Sequence, residues 1–247
     1  MDYLILIIMQ YLIICLGVIM ICSSLGSLFP FIYNKEINYK LNQFIGGFAS
    51  GVMLAAAIWS LLVPAFEIDT KGITVIASFI IGVLIIVLID IITIKSNKKN
   101  DYATKMYLVV TAHNIPEGMI VGLAVAIGMT EQNFENAILI SIAIGLQNIP
   151  ESIALSSMLY SKNKNKFKSF IYSFISGAVE PLFGVVAFLL VSYLENMITI
   201  FLGMSGGCMI YVVLSEMIPS TIEEEMLEGK VGIITGFLIM MIMDIFL

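Results

Sequence analysis

Apolar residues run almost unbroken for about twenty positions at a time along this chain, and short polar clusters separate the runs. About twenty apolar residues is the length an α-helix needs to cross the hydrocarbon core of a bilayer, whereas barrel strands alternate over about ten. The pattern therefore predicts helices, and eight of them: 3–32, 41–66, 73–94, 104–128, 134–160, 168–194, 197–219 and 231–247. Several exceed the minimum, so tilt or extension into the interface is expected. The connections are short. Residues 1–247 thus read as one all-α integral membrane domain, a bundle of eight transmembrane helices that must itself carry the function.

Charge adds orientation. The chain is 60% hydrophobic and 12% charged, against roughly 25% charged in a soluble domain. It has no arginine, and eleven of its twelve lysines fall on odd-numbered loops: Lys35 and Lys40; Lys95, Lys98, Lys99 and Lys105; Lys162, Lys164, Lys166 and Lys168; and Lys230. Only Lys71 lies on an even loop. The positive-inside rule then makes the odd loops cytoplasmic and puts both termini outside. The lysine- and isoleucine-rich usage suggests an AT-rich bacterium. The expected location is the bacterial plasma membrane, the inner one where there are two, crossed many times. No basic patch for nucleic acid exists. The run Glu223 to Glu228 reads as a solvated turn. Cys15, Cys22 and Cys208 lack CxxC spacing and read as small core residues. The start "MDYLILIIMQ" has no basic n-region, which favours a retained first helix over a cleaved signal peptide.

Three acids sit well inside predicted spans: Glu117, Glu151 and Glu180. An ionised carboxylate at mid-bilayer costs about 2.5–3.5 kcal/mol on insertion scales, and no lysine lies in a central span to offset it. Protonation, water or a bound cation remain. Glu216, Asp90 and Asp244 lie near span ends and read as interfacial, snorkelling side chains. The string "TAHNIPEGMIVG" places His113 and Glu117 four apart on one helix face, with Asn114 on the adjacent stripe. Pro116 between them frees the carbonyl of Ala112 and bends the helix. Nearly the same set returns 34 positions later in "GLQNIPESIAL": Gln147, Asn148, Pro150 and Glu151. The next span adds Glu180 and Pro181 in "SGAVEPLFG". Facing one another, these segments offer a mixture of nitrogen and oxygen donors that suits zinc, manganese, ferrous iron or cadmium without singling one out. Gly47-x-x-x-Gly51 and Gly118-x-x-x-Gly122 read as helix-packing motifs.

At these residues the sequence resembles the ZIP family of divalent-metal transporters. The fourth-helix signature His-Asn-x-Pro-Glu-Gly stands as His113, Asn114, Pro116, Glu117 and Gly118, and its fifth-helix counterpart as Gln147, Pro150, Glu151 and Ser152. The sixth-helix Ser-Gly-x-x-Glu-Pro stands as Ser176, Gly177, Glu180 and Pro181. The second helix, with Met53, and the seventh, with Glu216, are also similar. The resemblance implies a two-metal site in a transport pathway. His113, Glu117, Gln147 and Glu151 would hold one metal with Met53 nearby. Asn114, Asn148 and Glu180 would complete the second, with Glu117 and Glu151 bridging. Gln147 stands where the family commonly has histidine, which shifts the donors toward harder ions. The histidine-rich loop usual between the third and fourth helices is missing. No inverted relation between the first and last three helices is visible in the sequence.

The reading is therefore an importer that carries zinc into the cytoplasm, with iron, manganese and cadmium as further candidate substrates. Its partners are the transported Zn2+, the lipid bilayer and, as an open assembly, a second copy in a homodimer; no prosthetic group is implied. A metal-selective channel with the same ligands and a proton-driven carrier of another solute are the alternatives. An enzyme is not expected, because a zincin needs two histidines one turn apart and His113 is the only histidine.

Overall fold

The computed structural model describes residues 2–32, 38–95, 102–190, 197–222 and 226–246. Eight long helices follow one another among them: α1 Asp2–Ser27, α2 Tyr39–Ile68, α3 Ile73–Lys95, α4 Tyr102–Glu131, α5 Glu135–Asn163, α6 Lys166–Leu189, α7 Ile198–Thr221 and α8 Glu228–Phe246. A short helical turn, Phe29–Ile32, extends α1. No strand occurs among the described residues. The first seven helices are long and apolar enough to cross a membrane. The expected end of the sixth span beyond residue 190 lies outside the described residues, as do Lys35, Lys98, Lys99 and residues 223–225. The side chain of Asp244 is likewise outside the description.

The apolar runs become helices whose outer faces suit lipid. Along α3, Ile73, Ile76, Ile80, Leu84 and Leu88 recur every three or four positions and are all exposed. Such a continuous apolar stripe would promote aggregation in water and is at ease in hydrocarbon. The inside is unusually polar, with buried serines, carboxamides and carboxylates among small residues. The three cysteines are free, in keeping with a packing role.

The helices pair in a specific pattern. The most extensive contacts are α2 with α8, α4 with α6, α1 with α5, and α3 with α7. Two groups result. Helices α1, α4, α5 and α6 pack on one another, and α2, α3, α7 and α8 form a second set. The groups meet mainly where α5 crosses α2 and where α4 crosses α7. Exchanging α1 with α6, α2 with α7, α3 with α8 and α4 with α5 maps this network onto itself. This two-fold relation, whose exchange of α1–α3 with α6–α8 is not visible in the residues, has the form of the internal repeats found in many transporters.

Close backbone approach sets two of the seams. A Cβ on Gly51 would meet the carbonyl oxygen of Ile233 in α8, and one on Gly118 would meet the carbonyl oxygen of Glu180 in α6. Both glycine motifs therefore work as packing devices.

The prolines behave in two ways. The α-helical pattern continues through Pro116, Pro150 and Pro181. By contrast, α2 and α7 widen into π-helical turns at Ala57–Leu62 and Val213–Met217, just before Pro64 and Pro219. A proline cannot donate to the carbonyl four residues earlier. For these two prolines that carbonyl belongs to Ser60 and Ser215, inside the widened turns, where the hydrogen-bond spacing changes to accommodate it.

Gly51→Val is expected to force α2 and α8 apart at a cost of about 1–3 kcal/mol. A thermal-unfolding series of the purified protein in detergent checks this; an unchanged midpoint would mean that the seam has slack.

Candidate metal site

The polar residues singled out by the sequence meet in the middle of the α1/α4/α5/α6 group. His113, Asn114 and Glu117 come from α4, Gln147, Asn148 and Glu151 from α5, and Glu180 from α6. All seven are buried, none more than 4% exposed. Helical spacing turns each α4 and α5 set to one face. The backbone contact at Gly118 brings α6 close enough to put Glu180 beside that face.

The side chains fall into two linked clusters. In the first, His113 Nε2 lies 3.2 Å from Glu151 Oε1, without the alignment of a hydrogen bond. Gln147 Nε2 donates to Glu117 Oε1 at 2.8 Å. One ligand atom each from His113, Glu117 and Glu151 can be chosen so that all three lie within 4.8 Å of one another, a spacing that could hold a metal ion. In the second, Asn148 Nδ2 donates to Glu180 Oε2 at 2.5 Å and Asn114 Nδ2 to the Ser176 carbonyl at 3.0 Å.

Each carboxamide nitrogen thus donates within the protein, while several acceptor atoms are left without a donor. Glu117 Oε2, Glu151 Oε2 and the carbonyl oxygens of Asn114, Gln147 and Asn148 have no hydrogen-bond partner in the protein, and neither has His113 Nδ1. A buried polar atom without a partner costs about 1–3 kcal/mol. A surplus of buried lone pairs over donors is the chemistry of a cation site. Met53, fully buried in α2, sits in the same apolar core as Val110 of α4 and Leu155 of α5.

Ser23 of α1 was not foreseen. It is 1% exposed, and its hydroxyl accepts from Asn148 Nδ2 at 3.2 Å while donating to the Ile19 carbonyl at 3.0 Å. A serine in an apolar run carries no signal by itself. Only the pairing of α1 with α5 and α6 brings it to the cluster. Two acids also depart from the snorkelling reading. Asp90 is 7% exposed and accepts from the Tyr211 hydroxyl at 3.0 Å, between α3 and α7. Glu216 is 9% exposed on the widened turn of α7. Asp90 faces protein because α3 packs on α7, and the widened turn that carries Glu216 packs against α2.

A multi-pass helical membrane protein with an acceptor-rich, imidazole-containing cluster at its centre belongs to the class of polytopic proteins that handle cations. The particular family follows from comparison: the model described as ZIP Zinc transporter matches residues 101–244, more than half of the chain, and the protein belongs to that family. The zinc transporter ZupT of Streptococcus mutans is 31% identical over 250 residues, 88% of this chain and 90% of that protein. The ZupT of Chlorobaculum parvum is 27% identical over 248 residues, 89% of this chain and 91% of its own length. A relative from Arabidopsis thaliana is 30% identical over 211 residues, 82% of this chain. The chain spans about a third of that plant protein, 33% of its length.

Ser23→Ala is expected to weaken zinc binding about two- to tenfold, the worth of one net hydrogen bond of about 0.5–1.5 kcal/mol. Ser24→Ala, whose hydroxyl bonds only its own helix at Met20, should leave binding unchanged. Calorimetric titration of the purified protein distinguishes the two, and equal affinities for both variants would remove Ser23 from the site.

Proposed function

We propose that the chain carries divalent cations, zinc foremost, across the membrane into the cytoplasm. The observation that carries the reading is the buried His113, Glu117 and Glu151 cluster, with its excess of acceptors. The proposed path uses two neighbouring sites. His113, Glu117, Gln147 and Glu151 dehydrate one ion, with the Met53 thioether as a nearby soft donor. Asn114, Asn148 and Glu180 hold a second, and Glu117 and Glu151 bridge the two. Transported zinc is the substrate here, and the residue types fit it: imidazole and carboxylate are its ordinary non-thiolate ligands. Iron, manganese and cadmium suit the same donors.

Entry to the cytoplasm is favoured by a cavity of about 180 Å3 that reaches Glu151. It opens between the start of α2 at Asn42 and Gln43, the start of α4 at Met106, and the ends of α5 and α7 at Ser161 and Ser220. These are the ends next to the lysine-rich loops, which the positive-inside rule assigns to the cytoplasm. In this reading α8 is the eighth span, both termini lie outside, and 1–247 act as one transport domain in a bacterial plasma membrane. Alternating access follows from sliding the α1/α4/α5/α6 group against its partner along the α2–α5 and α4–α7 contacts. The serine- and glycine-rich interior of the first group keeps the cluster intact as it moves.

The test is uptake of radioactive zinc by proteoliposomes. Wild type is expected to accumulate zinc saturably, and Glu117→Gln, which keeps the shape and removes the charge, should lower uptake more than about 100-fold. Failure of every divalent metal to move in a well-folded preparation would refute the reading; flux that rises linearly with concentration would replace the carrier by a channel. Gln147→His should raise the affinity for zinc relative to manganese, because it adds an imidazole where a weak carbonyl donor stands. Equal selectivity in wild type and variant would exclude Gln147 from the ligands. Uptake should fall as the medium is acidified, since metal and protons compete for the same carboxylates and imidazole. A flat profile between pH 5 and 8, roughly the span over which histidine titrates, would contradict that competition.

A further inference from the structure

The lysine-rich end of the bundle carries a second recess, separate from the metal cluster. Where α4, α5 and α6 come together, a cavity of about 310 Å3 is bordered by Tyr107, Leu108, Lys162, Asn163, Lys168 and Tyr172. Its wall is aromatic: the rings of Tyr107 and Tyr172 meet edge to face with centroids 5.4 Å apart. The Lys168 ammonium lies 5.8 Å from the centre of the Tyr172 ring, close enough for a cation–π attraction that holds it at the rim. Lys162 is in the last turn of α5, and Lys168 in the first turn of α6. The intervening turn is fixed on both sides. Lys164 adopts a left-handed backbone that ends α5, and Asn165 Oδ1 accepts from the Lys168 backbone N–H at 2.9 Å to begin α6. The Asn163 carboxamide oxygen accepts from the Asn165 backbone N–H at 2.8 Å and from the Ser169 hydroxyl at 3.1 Å. Two ammonium groups are therefore presented on rigid helix ends rather than on a loose loop.

The surroundings are amphipathic. Leu108 is 43% exposed and Phe167 65% exposed beside the two lysines. Tyrosines are enriched at the headgroup level of a bilayer, and Tyr107 and Tyr172 both line this recess. A ligand here meets positive charge at one end and hydrocarbon at the other. A soluble anion would satisfy only the first, and a zwitterionic lipid would bring its own cation toward the lysines. We propose that this cavity binds the headgroup of an anionic phospholipid, with its phosphodiester between Lys162 and Lys168 and its acyl chains beside Leu108. Basic recesses between helix ends are a recurrent way to hold such headgroups. The lipid would bridge α4, α5 and α6, the three helices that carry the metal-binding side chains, and so stiffen the moving group. The inference needs the chain to span a membrane but not to move zinc, so loss of one leaves the other standing.

The experiment is native mass spectrometry of the purified full chain, with phosphatidylglycerol or phosphatidylcholine added at equal concentration. Wild type is expected to retain phosphatidylglycerol at least about fivefold better, a preference that matches the surface attraction of one or two basic residues. The Lys162→Gln/Lys168→Gln double variant should lose the preference. Lys164→Gln/Lys166→Gln removes the same charge from the same turn but not from the cavity, and it should keep the preference. Lys162→Arg/Lys168→Arg should keep it as well, which separates charge from folding. Equal retention of the two lipids by wild type would overturn the proposal. So would equal loss in both glutamine variants, which would reduce the effect to general loop charge. Displacement of phosphatidylglycerol by equimolar glycerol phosphate or inorganic phosphate would make a soluble anion the ligand and overturn it too.

Discussion

Everything in this structure is arranged around the cost of dehydrated carboxylates. Three ionised carboxylates in a membrane interior would together cost roughly 8–10 kcal/mol, which rivals the whole net stability of an ordinary domain, about 5–15 kcal/mol. Glu117, Glu151 and Glu180 are nonetheless buried together, and the described protein supplies no lysine among them. It supplies amide donors instead: Gln147 to Glu117 and Asn148 to Glu180. Those donors satisfy one oxygen of Glu117 and one of Glu180. They leave Glu117 Oε2, Glu151 Oε2 and the carboxamide oxygens of Asn114, Gln147 and Asn148 buried without a partner in the protein. The arrangement is stable enough to fold and incomplete enough to want a cation. Binding affinity in such a site comes from relieving that incompleteness, and the ion must shed its water to do so.

Much of this was legible in the residues, for simple reasons. Helices were readable because a bilayer enforces length and leaves every backbone group to be satisfied within the segment. The site was readable because ionisable residues inside spans are expensive, so His113, Glu117 and Glu151 stood out against their apolar background. What escaped is whatever depends on partners distant in sequence. Ser23 looks like any small residue of a membrane helix until α1 is laid against α5. Asp90 looks interfacial until Tyr211 of α7 is placed beside it. The widened turns before Pro64 and Pro219 escaped for a different reason. Five residues in the chain look alike as intramembrane prolines, yet only two of them lie in the α2–α7 pair that lets the backbone open.

The two-fold exchange of helices explains why the chain repeats its motif, and its imperfections explain what the repeat is for. The exchange sets His113 against Gln147, Asn114 against Asn148, and Glu117 against Glu151. Asn114 reaches Ser176 of α6, and Asn148 reaches Ser23 of α1, so Ser23 and Ser176 are counterparts. Counting on from them, Glu180 in α6 corresponds to Ser27 in α1. Ser27 uses its hydroxyl on Ser173 at 2.8 Å and on its own helix at Ser23, and it brings no charge.

A symmetric site would hold a cation on the axis between α4 and α5. This site is unsymmetrical twice over: the imidazole is on α4 only, and the third carboxylate is on α6 only. Both extra donors meet α5: Asn148 donates to Glu180, and the His113 imidazole lies 3.2 Å from Glu151. A cation bound as proposed would therefore meet unequal halves: an imidazole, a carboxamide and a carboxylate from α4, two carboxamides and a carboxylate from α5, and one more carboxylate from α6. The wide turns of α2 and α7 are symmetric by contrast, and each packs against the other helix of that counterpart pair. In the proposed transport cycle the unsymmetrical ligands would keep the ion on the same atoms while the group slides. On that proposal duplication would supply the movement, and departure from it the selectivity.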